Sequence, residues 1–312
     1  MARTAPMGSR TQLVQQLWRD RYIYLFLLPS TALFALYTLW PIGVSIYFSM
    51  LDWSGFEQAG RFIGFANYKE LANDRLFWNA FRNTVTFMVL AVPLRVGLAL
   101  LLAILLNQAL PFSRVFRTAI FLPVVTTAAI LGVVMRFILD PTSGPVNLAL
   151  LQSGILDQPV NFLGQSGVAL YTAVGVWVWK WLGITLIYWL AALQTVPKDL
   201  YEAARIDGAS GWQRIVYITL PLLTPFTIII TLITVVEATN VFDLMLTLTN
   251  GGPFYATEVI DIFVYRQAFA SNTPRLGYAS AASLFFGICV IALALLQLII
   301  LRRIRQKPAE TE

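Results

Sequence analysis

Five charged residues lie within or at the ends of long apolar stretches: Arg95, Arg136, Lys180, Glu237 and Asp243. A charge at the centre of a membrane-spanning helix costs about 2.5 to 3.5 kcal/mol on insertion scales, so such residues are expected to face a bundle interior or a wet cavity. Several of them in one chain indicate a polar pathway through an otherwise apolar bundle.

Two groups of polar and aromatic residues have the spacing of a single helix face. The first is Trp177, Lys180 and Trp181, and the second is Thr234, Glu237, Ala238 and Val241 with Asn240 beside it. Indole rings beside hydrogen-bonding groups suit a sugar, because its C–H faces stack on aromatic rings while its hydroxyls need polar partners. We predict that the following residues line a substrate pathway: Trp177, Lys180, Trp181, Thr234, Glu237 and Asn240.

Simpler interpretations stay open for these residues. Tryptophan concentrates at membrane interfaces, so Trp177, Trp179 and Trp181 could simply form an interfacial belt. Glu237 could instead form a structural ion pair with Arg95 or Lys180. Asp243 and Arg136 are predicted closer to the outer surface, where a gate or a loop anchor is an equally good assignment.

The segment between the apolar stretch that contains Lys180 and the one that contains Glu237 is amphiphilic. It is predicted to fold as a helix, a turn and a second helix. Pro197 suits the first turn of a helix, and Gly208 is placed to end that helix in a left-handed conformation. Ser210 and Gln213 then form a capping box for the next helix. Ala203 and Ala204 leave a small surface that another protein can approach closely, with charge on either side at Glu202 and Asp207.

These residues carry a family resemblance. The segments Glu202-Ala203-Ala204, Asp207-Gly208-Ala209 and Ile218-x-Leu220-Pro221 resemble the EAA signature of binding-protein-dependent ABC transporter permeases. A second stretch resembles the maltose-type first permease of carbohydrate importers: Phe242-Asp243 followed by Thr249-Asn250-Gly251-Gly252-Pro253. With Trp179-Lys180-Trp181 and Tyr278-Ala279-Ser280, the resemblance covers roughly residues 22 to 301; Ile215 departs from it, since the family often has an aromatic residue there.

The resemblance implies an all-α membrane protein with six transmembrane helices and a type I ABC importer permease-like fold. It also implies that Glu202, Ala203, Ala204, Asp207 and Gly208 dock into a cleft of an ATP-hydrolysing subunit. The expected partners are a second homologous permease, two copies of the ATPase, an extracytoplasmic solute-binding protein, a sugar substrate and membrane lipid. The sugar site of such permeases lies among the fourth and fifth spans and their neighbours.

Composition excludes several other classes. The chain has 312 residues, of which 58% are hydrophobic and 12% charged, which is outside the usual range of soluble proteins. It has no histidine and a single cysteine, Cys289, which excludes histidine-based triads, histidine metal sites and an intrachain disulfide framework. No nucleotide-binding loop of the Gly-x4-Gly-Lys-Ser/Thr type is present. We therefore expect no catalytic residue, no metal site, no nucleic-acid partner and no bound cofactor, with ATP and Mg²⁺ held by the partner ATPase.

Six apolar stretches are each long enough to cross a hydrocarbon core of about 30 Å as a helix. They are Ile23–Phe48, Thr84–Leu106, Phe116–Leu139, Val168–Leu193, Leu222–Leu246 and Ala279–Leu301. Apolar runs of this length are typical of helices and exclude the short alternating strands of a barrel. Prolines in these runs are expected to kink helices or mark their ends: Pro29, Pro41, Pro93, Pro123 and Pro225.

The distribution of lysine and arginine predicts the orientation. The connections assigned to the inside hold thirteen of these residues and those assigned to the outside hold six, which places both termini in the cytoplasm. The resemblance implies a multi-pass protein of a bacterial or archaeal cell (inner) membrane. The predicted organisation is a cytoplasmic arm at 1–21, a permease domain at 22–301 with a cytoplasmic coupling loop at 195–221, and a cytoplasmic tail at 302–312.

Other functions fit the sequence less well than an importer subunit. An ion-coupled secondary transporter could use Arg95, Lys180 and Glu237 as a relay, but such proteins usually contain internal repeats, and none is found here. An intramembrane enzyme would need a catalytic pair or metal cluster that the sequence does not offer. For the substrate, the resemblance to the first-permease subfamily favours a di- or oligosaccharide. A glycerol phosphodiester or sugar phosphate is the alternative because of Lys180 and because the permeases for those solutes are closely similar.

Overall fold

A computed structural model describes residues 21–107 and 112–305 of the chain. Most of the predicted N-terminal arm, including Arg3, Arg10 and Arg19, lies outside the described residues, as does the tail beyond Arg305. The helices are α1 (Arg21–Phe34), α2 (Trp40–Phe48), α3 (Ala66–Asn73), α4 (Arg75–Leu106), α5 (Ser113–Val125), α6 (Ala128–Ile138), α7 (Pro145–Gln152), α8 (Ala169–Leu193), α9 (Lys198–Ile206), α10 (Gly211–Arg214), α11 (Leu220–Ala238), α12 (Phe242–Leu248), α13 (Ile260–Tyr265) and α14 (Leu276–Arg305).

Three π-helical turns and one short antiparallel hairpin complete the described elements. The turns are Ala35–Leu39, Ile215–Thr219 and Arg266–Ala270, and the hairpin pairs β1 (Leu51–Asp52) with β2 (Arg61–Phe62). Five helical segments are long and apolar enough to cross a membrane, and the bent pair α5 and α6 makes a sixth. An apolar segment must satisfy its own backbone in lipid, and a helix does so. The predicted all-α, multi-pass membrane fold is confirmed.

The prediction of one continuous helix over Phe116–Leu139 is wrong. The chain bends by 103° between α5 and α6. Hydroxyls satisfy the backbone groups freed at this break, since Thr126 Oγ1 donates to the Pro123 carbonyl at 2.8 Å and Thr127 Oγ1 accepts from the Ile130 N–H. Because only Thr126 and Thr127 interrupt apolar residues on both sides, the break leaves only a short gap in the apolar pattern.

The prediction of one helix over Leu222–Leu246 is also wrong. Helix α11 ends at Ala238, and α12 is a separate short helix that begins at Phe242. A carboxylate from elsewhere stabilises the start of α12, because Asp261 Oδ2 accepts from the Val241 N–H at 3.3 Å. A negative charge at a helix N-terminus is favourable, and sequence distance hid this contact from the pattern of the fifth span.

Proline shapes two of the π-helical turns. Ala35–Leu39 ends two residues before Pro41, and Ile215–Thr219 ends two residues before Pro221. Proline has no N–H to donate, and its ring clashes with the carbonyl four residues earlier. A locally widened turn relieves that clash without ending the helix. Helices α1, α4 and α11 continue through Pro29, Pro93 and Pro225, whereas Pro123 lies two residues before the end of α5.

Helices α4 and α8 pack along each other and form the centre of the bundle, with α5 and α11 against them. Gly183 allows the close approach of α5, because a Cβ at this position would meet the Ile120 carbonyl and the Phe121 backbone at 2.7 Å. In contrast, none of the most apolar window of the span formed by α1 and α2 is buried, and this span contacts α14 through α2.

The bundle has two ends. The connections at 49–74, 139–168 and 239–275 meet at what we call the distal end, and α9 and α10 lie at the other. At the distal end, Arg275 donates two hydrogen bonds to the Glu70 carboxylate at 2.7 and 2.6 Å. The Tyr278 hydroxyl donates to Asp74 Oδ2 at 2.6 Å, so α14 is fastened to the start of α4. These contacts hold the spans in a fixed relation around the interior charges.

Candidate functional site

The coupling hairpin, which we define as residues 197–214, folds as its local signals predict. Pro197 is the N-cap of α9, one residue earlier than expected, and Gly208 follows the helix with a φ of +78°. Only glycine adopts this left-handed conformation without strain. The capping box is present, since Ser210 Oγ accepts from the Gln213 N–H and the Gln213 side chain accepts from the Ser210 N–H.

The surface of the hairpin is open. Glu202, Ala203, Asp207 and Gly208 are exposed, and Ala204 is half-buried. Apolar side chains also face outward close by, with exposed fractions of 87% at Ile206 and 72% at Trp212. Exposed apolar groups beside small residues and charges are typical of a protein-binding surface. The geometry therefore fits the docking role that the resemblance implies for this loop.

A hydrogen bond fastens the hairpin to the span that follows it. The Tyr201 hydroxyl lies 2.9 Å from Thr219 Oγ1, and the Thr219 hydroxyl also donates to the Arg214 carbonyl at 3.2 Å. Thr219 is buried at the start of α11. A displacement of α9 would therefore be transmitted to α11 by a packed polar contact.

Trp177 and Lys180 lie on one buried face of α8, with Trp181 half-buried beside them. The Trp177 ring packs edge-to-face on Phe87 of α4. The Lys180 ammonium lies 4.4 Å from the centroid of the Trp181 ring. These positions are interior, so Trp177 belongs to the packed core and not to an interfacial belt.

Lys180 serves the break between α5 and α6. Its Nζ donates to the Thr126 carbonyl at 2.5 Å and lies 3.5 Å from the Pro123 carbonyl. Both carbonyls lose their helical partners where the chain bends. Lys180 thus supplies donors to a helix end inside the bundle, which explains a lysine at this depth without a solute.

Arg95 and Glu237 form an ion pair, with Arg95 Nη1 2.6 Å from Glu237 Oε2. The N–H is not aligned with the oxygen, so the contact is a charge pair and not a directed hydrogen bond. Arg95 Nε donates to Thr185 Oγ1 on α8 at 2.7 Å, and the guanidinium lies 4.8 Å from the Trp177 ring centroid. One side chain thereby joins α4, α8 and α11.

The predicted face on the fifth span is only partly assembled. Thr234 is buried and its hydroxyl donates to the Ile230 carbonyl at 2.7 Å. Glu237 pairs with Arg95, and the Arg95 guanidinium in turn lies over the Trp177 ring. Asn240 and Val241, however, lie beyond the end of α11, with Asn240 exposed and Val241 buried. The expectation that Val241 shares a helix face with Thr234 and Glu237 is wrong because the helix ends at Ala238.

Arg136 lies at the distal end, on the wall of a cavity of about 500 Å³ that Asp140, Asn161 and Asn250 also line. The hydrogen bonds that Asp140 accepts from the backbone and hydroxyl groups of the two residues after Pro141 lower the pKa of its carboxyl to about 2. A loop-anchoring or gating position suits Arg136 better than the centre of the pathway.

Asp243 occupies a comparable position at the edge of the bundle. It lies exposed in the first turn of α12, beyond the end of α11. A carboxylate in the first turn of a helix is favoured by the helix dipole. Its place in the chain therefore has a local structural reason, and it does not join the interior pair of Arg95 and Glu237.

Sequence reasoning missed another buried charge, which lies at the distal end. Glu258 is buried, and its Oε2 accepts from Arg266 Nη1 at 2.6 Å. Arg266 also donates to the Asn250 carbonyl and stacks on Tyr255. Burial raises the pKa of Glu258 to about 7, against the opposing effect of Arg266. The turn residues around Asn250 were the available signal, but they did not indicate which charge pair would close the loop.

Comparison with known proteins places the chain in a family. The model for the binding-protein-dependent transport system inner membrane component matches residues 77–306. The chain belongs to this family, and it is a multi-pass membrane permease of an ABC importer.

Several relatives extend over nearly the whole chain. It is 36% identical over 278 residues to the probable ABC transporter permease protein YurN of Bacillus subtilis, a match that spans 88% of this chain and 94% of the relative. It is 34% identical over 279 residues to the lactose transport system permease protein LacF of Rhizobium radiobacter, with coverage of 88% and 92%. It is 32% identical over 275 residues to the sn-glycerol-3-phosphate transport system permease protein UgpA of Yersinia pestis, also at 88% and 92%.

A solved structure has the same fold. The chain is similar to one from a bacterial ABC transporter involved in the import of the acidic polysaccharide alginate, with a TM-score of 0.80 and 28% identity over 95% of this chain and all of the other. A second structure of a bacterial alginate transporter, in complex with a pentasaccharide-bound periplasmic protein, gives a TM-score of 0.82 at 27% identity over 96% of this chain and all of the other.

Proposed function

We propose that this chain forms one half of the translocation pore of an ATP-driven importer for a di- or oligosaccharide. A second, homologous permease would complete the pore, two copies of an ATPase would bind ATP and Mg²⁺, and an extracytoplasmic binding protein would deliver the solute. The observation that carries the proposal is the exposed coupling hairpin, fastened to α11 through Tyr201 and Thr219.

In the proposed mechanism, closure of the ATPase dimer moves the hairpins of the two permeases and switches the pore between inward-facing and outward-facing states. Such a switch requires only that ATP and solute bind the two states with different affinity. Glu202 anchors the hairpin electrostatically, Ala203 and Ala204 permit close contact, and Gly208 sets the angle between α9 and α10.

The substrate assignment has a second candidate. A phosphate-bearing solute such as sn-glycerol 3-phosphate is kept open by the similarity to UgpA. Lys180 does not favour a phosphate-bearing solute, because its ammonium already contacts backbone carbonyls. Binding measurements on the cognate binding protein against a panel of sugars and phosphate esters decide between the two.

The coupling role is tested in vesicles that contain the full importer. Gly208→Val introduces a branched side chain at positive φ and should abolish stimulation of ATP hydrolysis by the loaded binding protein while leaving membrane insertion intact. Gly211→Ala, at the first position of α10, is the matched control and should retain both activities. Full uptake by Gly208→Val and by Glu202→Ala would show that the hairpin is not the coupling element.

A further inference from the structure

Arg95 is enclosed completely and its orientation is determined by neighbours on a different helix. Nε donates to Thr185, and the guanidinium plane lies over Trp177, both on α8. Within the described part of the chain, Nη1 and Nη2 are buried and make no directed hydrogen bond. A solute therefore does not reach this arginine in the structure, and Glu237 is the partly exposed group that Arg95 contacts.

Glu237 has one enclosed side and one open side. Oε2 faces Arg95 and is buried, whereas the side chain as a whole keeps 33% of its surface exposed. A carboxylate does not face lipid without a large penalty, so the open side belongs to a wet cavity or to the boundary with the other half of the pore. The Arg95 guanidinium, itself held by neighbours on α8, lies 2.6 Å from this carboxylate oxygen and fixes its position.

We propose that Arg95 is a positioning residue, which holds the Glu237 carboxylate in place as a hydrogen-bond acceptor on the pathway and so selects uncharged polyhydroxy solutes over anionic ones. This inference rests on the proposed function. An ionised carboxylate only accepts hydrogen bonds, which suits the O–H groups of a neutral sugar. An anionic solute would meet the carboxylate first, with the compensating guanidinium on its far side.

The test measures solute molecules taken up per ATP hydrolysed, in proteoliposomes that contain the complete importer and its loaded binding protein. Glu237→Gln and Arg95→Gln should each lower this ratio at least fivefold, because solute capture fails while ATP hydrolysis continues. The double variant should be no lower than either single variant, and Arg95→Lys, which keeps the charge, should recover at least half of the loss. Arg82→Gln is the matched control, since this arginine lies on the same helix and its side chain donates to Asn79 at an exposed position.

Several results would overturn the inference. If Arg95→Gln lowers uptake and ATP hydrolysis in equal proportion, so that the ratio is unchanged, Arg95 is only a structural brace. Should that variant not assemble, a wild-type ratio in Glu237→Gln refutes the proposal equally. If the cognate binding protein takes an acidic solute and the importer transports it, the selection of neutral solutes is wrong while ATP-driven import stands. Absence of ATP-dependent uptake by the wild-type complex would instead refute the proposed function itself.

Discussion

The charged side chains inside the bundle contact partners on other helices. Lys180 on α8 donates to carbonyls at the break between α5 and α6, and Arg95 on α4 pairs with Glu237 on α11. In a bilayer no water can take over these contacts. The residues that appear from sequence to line a pathway therefore have a structural duty first, and of these three charges Glu237 alone combines that duty with substantial exposure.

Replacement of Lys180 tests this duty. Lys180→Met keeps the length and apolar stem of the side chain but removes every donor, which leaves the half-buried Thr126 carbonyl without this partner. A carbonyl that lacks a hydrogen-bond partner away from water costs about 1 to 3 kcal/mol, so the thermal midpoint of the purified complex should fall measurably. Lys69→Met, at an exposed position of α3, should leave the midpoint unchanged. Equal midpoints in both variants would show that Lys180 does not stabilise the break.

Glu258 gives the distal end a dependence on pH. Its pKa is raised to about 7 from an ordinary value of 4.5 because burial penalises the charged form. The folded state therefore binds a proton at Glu258 more tightly than the unfolded state does. The contribution of this proton to the free energy of unfolding is complete below about pH 4.5 and is lost as the pH rises towards 7. The shift corresponds to roughly 3 kcal/mol at most. Asp261, whose pKa burial raises to about 6, acts in the same direction.

Hydrogen exchange of the segment at 249–260, corrected for intrinsic rates, measures this effect. Protection should decrease between about pH 5 and pH 8 in the wild type, and Glu258→Gln should lose most of that decrease because the amide does not ionise. The groups that face Glu258 are Arg266 and Asp74. Protection that increases with pH would mean that the pair with Arg266 outweighs the cost of burying the carboxylate.

At the scale of single elements, local rules succeeded where the determinants were local. The left-handed Gly208 and the capping box of Ser210 and Gln213 follow from residues within a few positions of one another. The breaks after Val125 and Ala238 could not be predicted in this way. Each depends on a side chain distant in sequence, Lys180 for the first and Asp261 for the second.

Contact between helices α5 and α8 depends on Gly183. A Cβ there would lie 2.7 Å from backbone atoms of Ile120 and Phe121, which cannot move aside as a side chain could. Gly183→Ala should therefore destabilise the complex by about 1 to 3 kcal/mol through overpacking. Gly175→Ala on the same helix has open space around its Cβ and should be neutral, or stabilising by up to about 1 kcal/mol. Thermal unfolding of the two variants side by side checks this, and equal midpoints would contradict the close approach.

At the scale of the whole molecule, α11 connects the coupling hairpin with the interior charge pair. It runs from the residue after Thr219, which the Tyr201 hydroxyl contacts, to the turn that contains Glu237. Its 19 residues span about 28 Å at 1.5 Å per residue. Under the proposed function, a movement of the hairpin would reach the pathway through this one helix. Whether the end of α11 moves would then depend on whether the ion pair between Arg95 and Glu237 breaks.

This arrangement requires the hairpin and the distal end to face opposite sides of the membrane. The chain has a single cysteine, so a Cys289→Ser background allows one new thiol to be placed at a time. Ile206→Cys and Phe254→Cys suit this purpose because the two side chains are 87% and 93% exposed.

In urea-washed inside-out vesicles, a membrane-impermeant maleimide should label the cysteine that replaces Ile206 at least tenfold faster than the one that replaces Phe254, and right-side-out vesicles should reverse the preference. Detergent should make both reactive, which controls for burial. The opposite pattern would place the hairpin outside the cell, where no ATPase can drive it, whereas the excess of lysine and arginine on the hairpin side predicts the cytoplasm.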